Sequence, residues 1–141
     1  MDPTATYAKP LPFPDHDTKA FWDACKEHEL KAQRCTKCGR FRWPPQEFCP
    51  SCYSWEYQWT ALPGRGAVTS FSVVHHSVAP GFREEIPYVV AVITLDGTDG
   101  HVSIASNIVD CPWEKVQVGM PVQVFFEDAS PEVALPKFRL V

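Results

Sequence analysis

The sequence lacks the patterns that mark many enzymes and membrane proteins. Its longest apolar run, Tyr88 to Leu95, is too short to cross a bilayer. It has no Gly-rich phosphate loop, no nucleophile elbow and no obvious pair of carboxylates, so no catalytic residue can be named. The first residues, Met1 to Thr4, carry neither the basic start nor the apolar stretch of a signal peptide. We therefore expect a soluble protein in the reducing cytoplasm.

Basic residues are too few to dominate the surface. The 141 residues include 13 lysines and arginines against 17 aspartates and glutamates, which gives a formal net charge of −4. Such a chain lacks the overall positive field that favours nucleic acids. Its hydrophobic content of 45% is typical of a globular protein, and its 14 prolines argue against a mainly helical fold.

Four of the six cysteines form two close pairs, which are the strongest chemical signal in the chain. Cys35 and Cys38 enclose two residues, Cys49 and Cys52 enclose two more, and ten residues separate the pairs. This spacing is typical of a tetrahedral zinc site in a zinc ribbon. Because four thiolates fill the coordination sphere, we expect one structural zinc per chain. The alternatives are two disulfides, which the expected location disfavours, four free thiols, or an iron site.

The first 29 residues predict a Pro-rich extended arm followed by a helix. The arm covers residues 1–14, which contain four prolines, and the helix runs from Asp15 to Glu29 with Asp15 or Asp17 as its N-cap. One helix face holds Phe21, Ala24, Cys25 and His28, with Trp22 beside it. We expect this face either to pack on the ribbon or to dock on a partner.

Residues 30–62 predict the zinc ribbon itself. After the second cysteine pair, polar residues alternate with Tyr53, Trp55, Tyr57 and Trp59, which predicts a strand with one aromatic face. This face either covers the module or forms a stacking or docking surface. Five basic residues lie between positions 31 and 42, with no acidic residue from 30 to 46. They either compensate the negative zinc–thiolate site, contact a phosphate or an acidic protein, or form a solvated face.

Residues 63–141 predict an all-β module. The expected strands are 67–76, 88–95, 101–109, 122–127 and 138–141, separated by turn signals such as Asp96-Gly97. Five short antiparallel strands favour a small, partly open barrel of the OB type, with a small sandwich as the competitor. The predicted fold class is therefore mainly β, with an N-terminal helix and a zinc ribbon preceding a five-stranded OB-type barrel.

A few residues outside these motifs are candidates for a role. The loop 77–87 presents Phe82 and Arg83 and is either a contact loop or an ordinary hairpin connection. His75 and His76 should point to opposite faces of a strand, one at the rim of the core and the other exposed. Cys25 and Cys111 are expected to be buried free thiols.

The order of these motifs resembles a known family of two-module proteins, in which a rubredoxin-like zinc ribbon precedes an acyl-CoA-associated OB-fold. The resemblance rests on Phe21-Trp22, the run Leu30 to Cys35, Pro44-Pro45 between the cysteine pairs, and Leu135-Pro136-Lys137-Phe138, and it covers about residues 15–138. It implies that the four paired cysteines hold zinc. It also implies a non-catalytic accessory role beside a thiolase-like or lipid-transfer-type acyl-CoA enzyme, in lipid, steroid or aromatic acyl-CoA degradation. The chain would help to assemble that complex and to shape its acyl-CoA channel.

A coenzyme A ester carries phosphates and an adenine, which favour cationic and aromatic side chains. The candidate contacts with acyl-CoA or with the partner enzyme are Trp22, Trp43, Arg65, Phe82, Arg83, Lys137 and Arg139. The main alternative is a module that binds single-stranded nucleic acid, since zinc ribbons and OB-folds both serve that purpose. A stand-alone enzyme built on the isolated cysteines and histidines is a third hypothesis, which no spacing supports.

Overall fold

A computed structural model describes residues 7–141. The elements in chain order are α1 (Lys19–Lys26), β1 (Lys31–Cys35), β2 (Phe41–Arg42), β3 (Tyr57–Ala61), β4 (Arg65–Val74), β5 (Tyr88–Leu95), β6 (Ser103–Ile108), a 3-10 turn (Trp113–Lys115), β7 (Pro121–Asp128) and β8 (Ala134–Leu140). No helix in this part of the chain combines the length and hydrophobicity that a membrane crossing requires.

The ribbon is a small antiparallel sheet with the order β2-β1-β3. All five residues of β1 pair with β3, and two of them, Gln33 and Arg34, also pair with β2. The central strand therefore ends at Cys35 with a neighbour on each side, which fixes the position of the first metal-ligating candidate.

The second unit is a closed five-stranded barrel with the order β4-β5-β6-β8-β7. The barrel is fully closed, where the sequence predicted a partly open one. Closure comes from β7 pairing with β4, and from a parallel contact between Ile108 of β6 and Phe138 of β8. Burial alternates along β5 as the period of a strand requires, and the fully buried Phe138, Ile93 and Val68 fill the barrel centre.

The helix is shorter than the sequence predicted at both ends. The side chain of Asp15 accepts hydrogen bonds from the backbone N–H and the hydroxyl of Thr18 (2.9 and 3.0 Å). These bonds close a separate turn, and the regular helix starts only at Lys19. At the other end His28 has a left-handed φ of +60° and leaves the apolar face, so its predicted place there was wrong. Its ring instead stacks on Phe126 of the barrel, at 5.3 Å between ring centroids.

Three strand predictions needed correction. The strand expected from residue 53 starts at Tyr57, because Tyr53 has a left-handed φ of +63° and cannot extend it. Strand β4 ends at Val74, so both His75 and His76 are exposed, and the prediction of one core-rim histidine was wrong. Strand β8 begins at residue 134 and not at 138, because its pairing with β7 already starts where Ala134 lies opposite Asp128.

Of the predicted arm, residues 1–6 lie outside the described residues. The rest packs beside the loop 77–87. Lys9 Nζ lies 2.7 Å from Glu85 Oε2, and the backbone of Ala8 passes so close to Gly81 that an added Cβ would sit 2.8 Å from it. Gly81 also has a φ of +84°, so this contact requires glycine on two grounds.

Candidate functional site

The four paired cysteines converge on one point of the ribbon. All four sulfurs lie within 4.8 Å of one another, with 3.6 Å between Cys35 and Cys52 and 3.6 Å between Cys38 and Cys49. A tetrahedral site with metal–sulfur bonds of 2.3 Å would place its sulfurs about 3.8 Å apart. The observed cluster therefore fits a tetrathiolate metal ion without rearrangement.

The two cysteine turns have the same backbone hydrogen bonds. In the first turn the N–H of Cys35 donates to Arg40 O and the N–H of Gly39 donates back to Cys35 O, both at 2.9 Å. In the second the N–H of Cys49 donates to Ser54 O (2.8 Å) and the N–H of Tyr53 donates back to Cys49 O (2.9 Å). Each turn thus presents its two sulfurs on a rigid backbone, as a preformed metal site requires.

The electrostatics of the cluster favour a bound cation. The backbone N–H of Cys38 donates to the Cys35 sulfur and lowers the pKa of that thiol to about 6. For Cys38 itself the N–H of Arg40 favours the thiolate, but burial and the neighbouring sulfurs outweigh it and raise the pKa to about 11. Four thiolates this close cannot all ionise alone, whereas a divalent metal lets them do so. With four protein ligands the coordination sphere is full, so the site has the donor set of a structural metal centre.

The aromatic side chains next to the second turn do not cover the ribbon. Tyr53 is 71% exposed and Trp55 is 67% exposed. Phe48 is also exposed, and its ring centroid lies 5.9 Å from that of Trp55. We call Phe48, Tyr53 and Trp55 the knuckle aromatics. Large aromatic groups exposed together are the usual mark of a contact surface, which favours the docking interpretation of this segment.

An apolar groove of about 400 Å3 lies between α1, Trp43 and the barrel. Its aromatic wall is built by Phe21, whose ring centroid is 5.1 Å from that of Trp22 and 5.0 Å from that of Trp43. The opposite wall and the polar end come from β6 and β8, through Ile104, Ala105, Ser106, Asn107, Leu135, Pro136 and Lys137. The groove exists because β6 and β8 pair at a single position, so that their backbones separate before it.

A smaller, more polar cavity of about 210 Å3 adjoins this groove and shares Asn107 and Lys137 with it. Phe82 and Lys9 line its outer side. The Lys137 side chain is only 10% exposed, and its Nζ lies 2.7 Å from Glu127 Oε2. The charge of Lys137 is therefore already balanced within the barrel.

The structure brings together some of the predicted contact residues and separates others. Trp22, Trp43 and Lys137 line one groove, and Phe82 and Lys137 line the adjoining cavity. The three arginines lie outside both. Arg65 is exposed at the start of β4, Arg83 donates to Val78 O at 3.3 Å, and Arg139 Nε lies 2.5 Å from Asp110 Oδ2. Ser106 and Asn107 were missed, although two adjacent polar residues inside a predicted strand were a usable signal.

The two isolated cysteines differ in their surroundings. Cys25 is fully buried in the core and burial raises its pKa to about 12, as expected for an inert thiol. Cys111 is only partly buried, so the prediction of a buried thiol was wrong for this residue. Burial and the neighbouring Asp110 raise the pKa of Cys111 as well.

Comparison with known proteins matches both parts of this architecture. A family model described as the ChsH2 rubredoxin-like zinc ribbon domain matches residues 22–56, and one described as the ChsH2 C-terminal OB-fold domain matches residues 59–127. A DUF35 domain-containing scaffold protein of Methanocaldococcus jannaschii is 41% identical over 108 residues, which are 74% of this chain and 73% of that protein. The chain belongs to the ChsH2/DUF35 family.

Within the ChsH2/DUF35 family, similarity extends over nearly the whole chain. A probable enoyl-CoA hydratase alpha subunit of Thermomonospora curvata is 37% identical over 131 residues, or 93% of this chain, but the chain spans only 40% of that relative's length. A chain from a solved structure described as Ltp2-ChsH2(DUF35) aldolase is 35% identical, with a TM-score of 0.83, covering 92% of this chain and 98% of that one. Family members thus occur in an aldolase, in a hydratase subunit and as scaffold proteins.

Proposed function

We propose that this chain is a non-catalytic subunit of an acyl-CoA enzyme complex, and that an aldolase or another thiolase-like enzyme is its partner. The observation that carries the proposal is its likeness, over almost its full length, to a chain from a solved aldolase of the same family. Two further features support it. The described residues offer a metal site with a full set of protein ligands, and they include exposed aromatic groups that no other described residue covers.

In this proposal the metal is zinc, held by Cys35, Cys38, Cys49 and Cys52, and its role is structural. When bound, the ion supplies the folding free energy that a three-stranded sheet with a small apolar core lacks. With all four cysteines bound to one ion, both cysteine turns are held in place. Because Tyr53 belongs to the second turn, zinc also fixes the direction in which the knuckle aromatics point.

We assign the contact with the partner enzyme to the knuckle aromatics. Tyrosine and tryptophan are enriched in the centres of protein interfaces, where they bury large areas with little loss of side-chain entropy. Tyr53 and Trp55 lie on a metal-fixed backbone, so they are preorganised for binding. About two-thirds of each side chain is exposed to water, and burial of this area against the partner would contribute the binding free energy.

We assign contact with the substrate to the groove. Trp22 and Trp43 provide flat apolar surfaces, and Ser106 and Asn107 lie at one end. Ser106 Oγ donates to Pro136 O and Asn107 Nδ2 donates to Val89 O, so what remains for a ligand is the Ser106 oxygen as acceptor and the Asn107 amide oxygen and second N–H. Such a mixture suits a ligand that is apolar along most of its length and polar at one end, as an acyl thioester is. The groove would then form part of the acyl-CoA channel at the interface between the two proteins.

The experiment is co-expression with an aldolase- or thiolase-type protein from the same organism, followed by affinity purification and an acyl-CoA cleavage assay. A Tyr53→Ala/Trp55→Ala variant should lose the partner while still binding zinc. A Trp22→Ala variant should keep the partner and raise KM for the acyl-CoA. Trp113→Ala, which removes a tryptophan that is 36% exposed and lies outside both surfaces, should change neither.

Two results would contradict the proposal. The first is a partner enzyme that never co-purifies with the wild-type chain and is fully active alone. The second is binding of single-stranded DNA or RNA that requires the knuckle aromatics and weakens steeply with salt, which would support the nucleic-acid alternative.

A further inference from the structure

Arg42 in β2 is a buried cation that has no anionic partner among residues 7–141. The residue is 2% exposed. Its Nε donates to Gln33 Oε1 at 3.0 Å and its Nη2 donates to Gln46 O at 2.9 Å, and both acceptors are neutral. Its Nη1 is buried and has no hydrogen-bond partner in the described part of the chain. Among residues 7–141, no carboxylate lies within ion-pair distance of this guanidinium.

A buried arginine of this kind needs compensation from elsewhere. A guanidinium group keeps its charge inside proteins, and an isolated charge in the interior is strongly unfavourable. The ring of Tyr57, with its centroid 4.7 Å from the guanidinium carbon, supplies a cation–π contact. Neither the aromatic ring nor the two neutral acceptors carries a net negative charge, so these direct contacts leave the positive charge of Arg42 unbalanced.

The neighbours of Arg42 connect it to the cysteine cluster. Gln33, which binds its guanidinium, precedes Cys35 by two residues on β1, so their side chains lie on the same face of the strand, about 7 Å apart along it. Tyr57, which lies under the guanidinium, is the residue opposite Cys35 in the pairing of β1 with β3. The Arg42 side chain therefore contacts two residues that are themselves neighbours of Cys35 in the sheet.

We propose that Arg42 is the internal counter-cation of the four-cysteine metal site. A divalent ion with four thiolates carries a net charge of −2, and Arg42 balances half of it through a medium that excludes water. The exposed basic residues of the ribbon, such as Arg34 and Arg40, are screened by solvent and act more weakly. The proposal rests on the metal site alone and stands whichever partner enzyme binds.

The first test compares zinc affinities of the full-length chain by competition with a chelator. Arg42→Gln keeps a hydrogen-bonding side chain but loses the charge, and we expect a loss of zinc affinity of about 10–100-fold, as for other groups next to metal ligands. Arg42→Lys keeps the charge and should stay close to the wild type. Arg40→Gln, the matched exposed control, should also change little. If Arg42→Lys loses as much affinity as Arg42→Gln, the guanidinium acts through its hydrogen bonds and the proposal is wrong.

The second test measures the effect of charge on the metal site separately from any effect on stability. The chain is loaded with iron in place of zinc, and the reduction potential of the iron is measured. A nearby cation favours the reduced site, which is more negative, so Arg42→Gln should shift the potential to more negative values while Arg40→Gln leaves it unchanged. Gln33→Glu gives Arg42 a carboxylate of its own and should shift the potential in the same direction with the arginine still present. An unchanged potential in Gln33→Glu, or in a folded Arg42→Gln, would overturn the proposal.

Discussion

Gly39 and Tyr53 occupy equivalent positions in the two cysteine turns. Each lies four residues after the first cysteine of its pair, each has a positive φ (+80° and +63°), and each donates its backbone N–H to that cysteine's carbonyl. Glycine adopts this conformation at no steric cost, but tyrosine does not. Tyr53 is also largely exposed, so packing does not explain its presence in a strained position. Strain at an exposed aromatic residue is what a binding role would require.

The first prediction separates the backbone of Tyr53 from its side chain. Tyr53→Gly and Tyr53→Ala both remove the ring, but only the first removes the left-handed strain. Denaturant unfolding of the zinc-loaded chain should give Tyr53→Gly a free energy of unfolding about 1 kcal/mol higher than that of Tyr53→Ala. Both variants should bind the partner enzyme equally poorly. Equal stabilities would mean that the turn relaxes and that no strain is stored there.

The second prediction concerns removal of the metal. We propose that the ribbon depends on a bound metal, whereas the barrel has its own core around Phe138 and Ile93. Hydrogen exchange measured after chelation should show rapid exchange across β1 and β3 and continued protection of β5. Cys38→Ser should reproduce this pattern without a chelator. Persistent protection of β1 in the metal-free chain would contradict a metal-dependent ribbon.

The third prediction tests the close approach of β4 and β5. A Cβ added to Gly66 would lie 2.5 Å from the Thr94 carbonyl oxygen and 2.8 Å from Ile93 Cγ2. A backbone carbonyl cannot rotate away from this contact. Gly66→Ala should therefore lower the free energy of unfolding by about 3 kcal/mol, the upper end of the typical cost of overpacking. Thermal or denaturant unfolding measures this, and an unchanged stability would show that the two strands are not so close.

The fourth prediction concerns the two thiols outside the metal site. In the zinc-loaded chain a thiol reagent should modify Cys111, which is partly exposed, and leave the fully buried Cys25 untouched until the protein unfolds. Because the pKa of Cys111 is raised, its thiolate is scarce at neutral pH and its labelling rate should increase as the pH rises toward that pKa. Cys111→Ser should abolish the reaction and Cys25→Ser should not; labelling that persists in Cys111→Ser would contradict this assignment.

Features with a local cause were predictable from the sequence. The bounds of β5 follow from its apolar run and the Asp96-Gly97 turn, and the cysteine cluster follows from the spacing within each pair. Barrel closure was not predictable, because it depends on a parallel contact between Ile108 and Phe138. These residues are thirty positions apart, and no local sequence pattern indicates which distant strands will pair. Likewise, no local signal showed that Tyr53 would adopt a left-handed φ and so lie outside the predicted strand.

The candidate site divides in the same way. Trp22, Trp43 and Lys137 were each chosen singly, but their meeting in one groove depends on how α1 packs against β8. The solvated arginines could not be told from substrate contacts by sequence, since Arg139 is paired with Asp110 only through the fold. The unbalanced charge of Arg42 is equally invisible in the sequence, where it is one of five basic residues in the ribbon.

Native mass spectrometry of the chain co-expressed with an aldolase- or thiolase-type protein from the same organism tests the central claim most directly. We expect a stable mixed complex that carries one zinc ion for each copy of this chain and that cleaves its acyl-CoA only when this chain is present. A zinc-loaded chain that stays apart from an enzyme that is fully active without it would contradict the account.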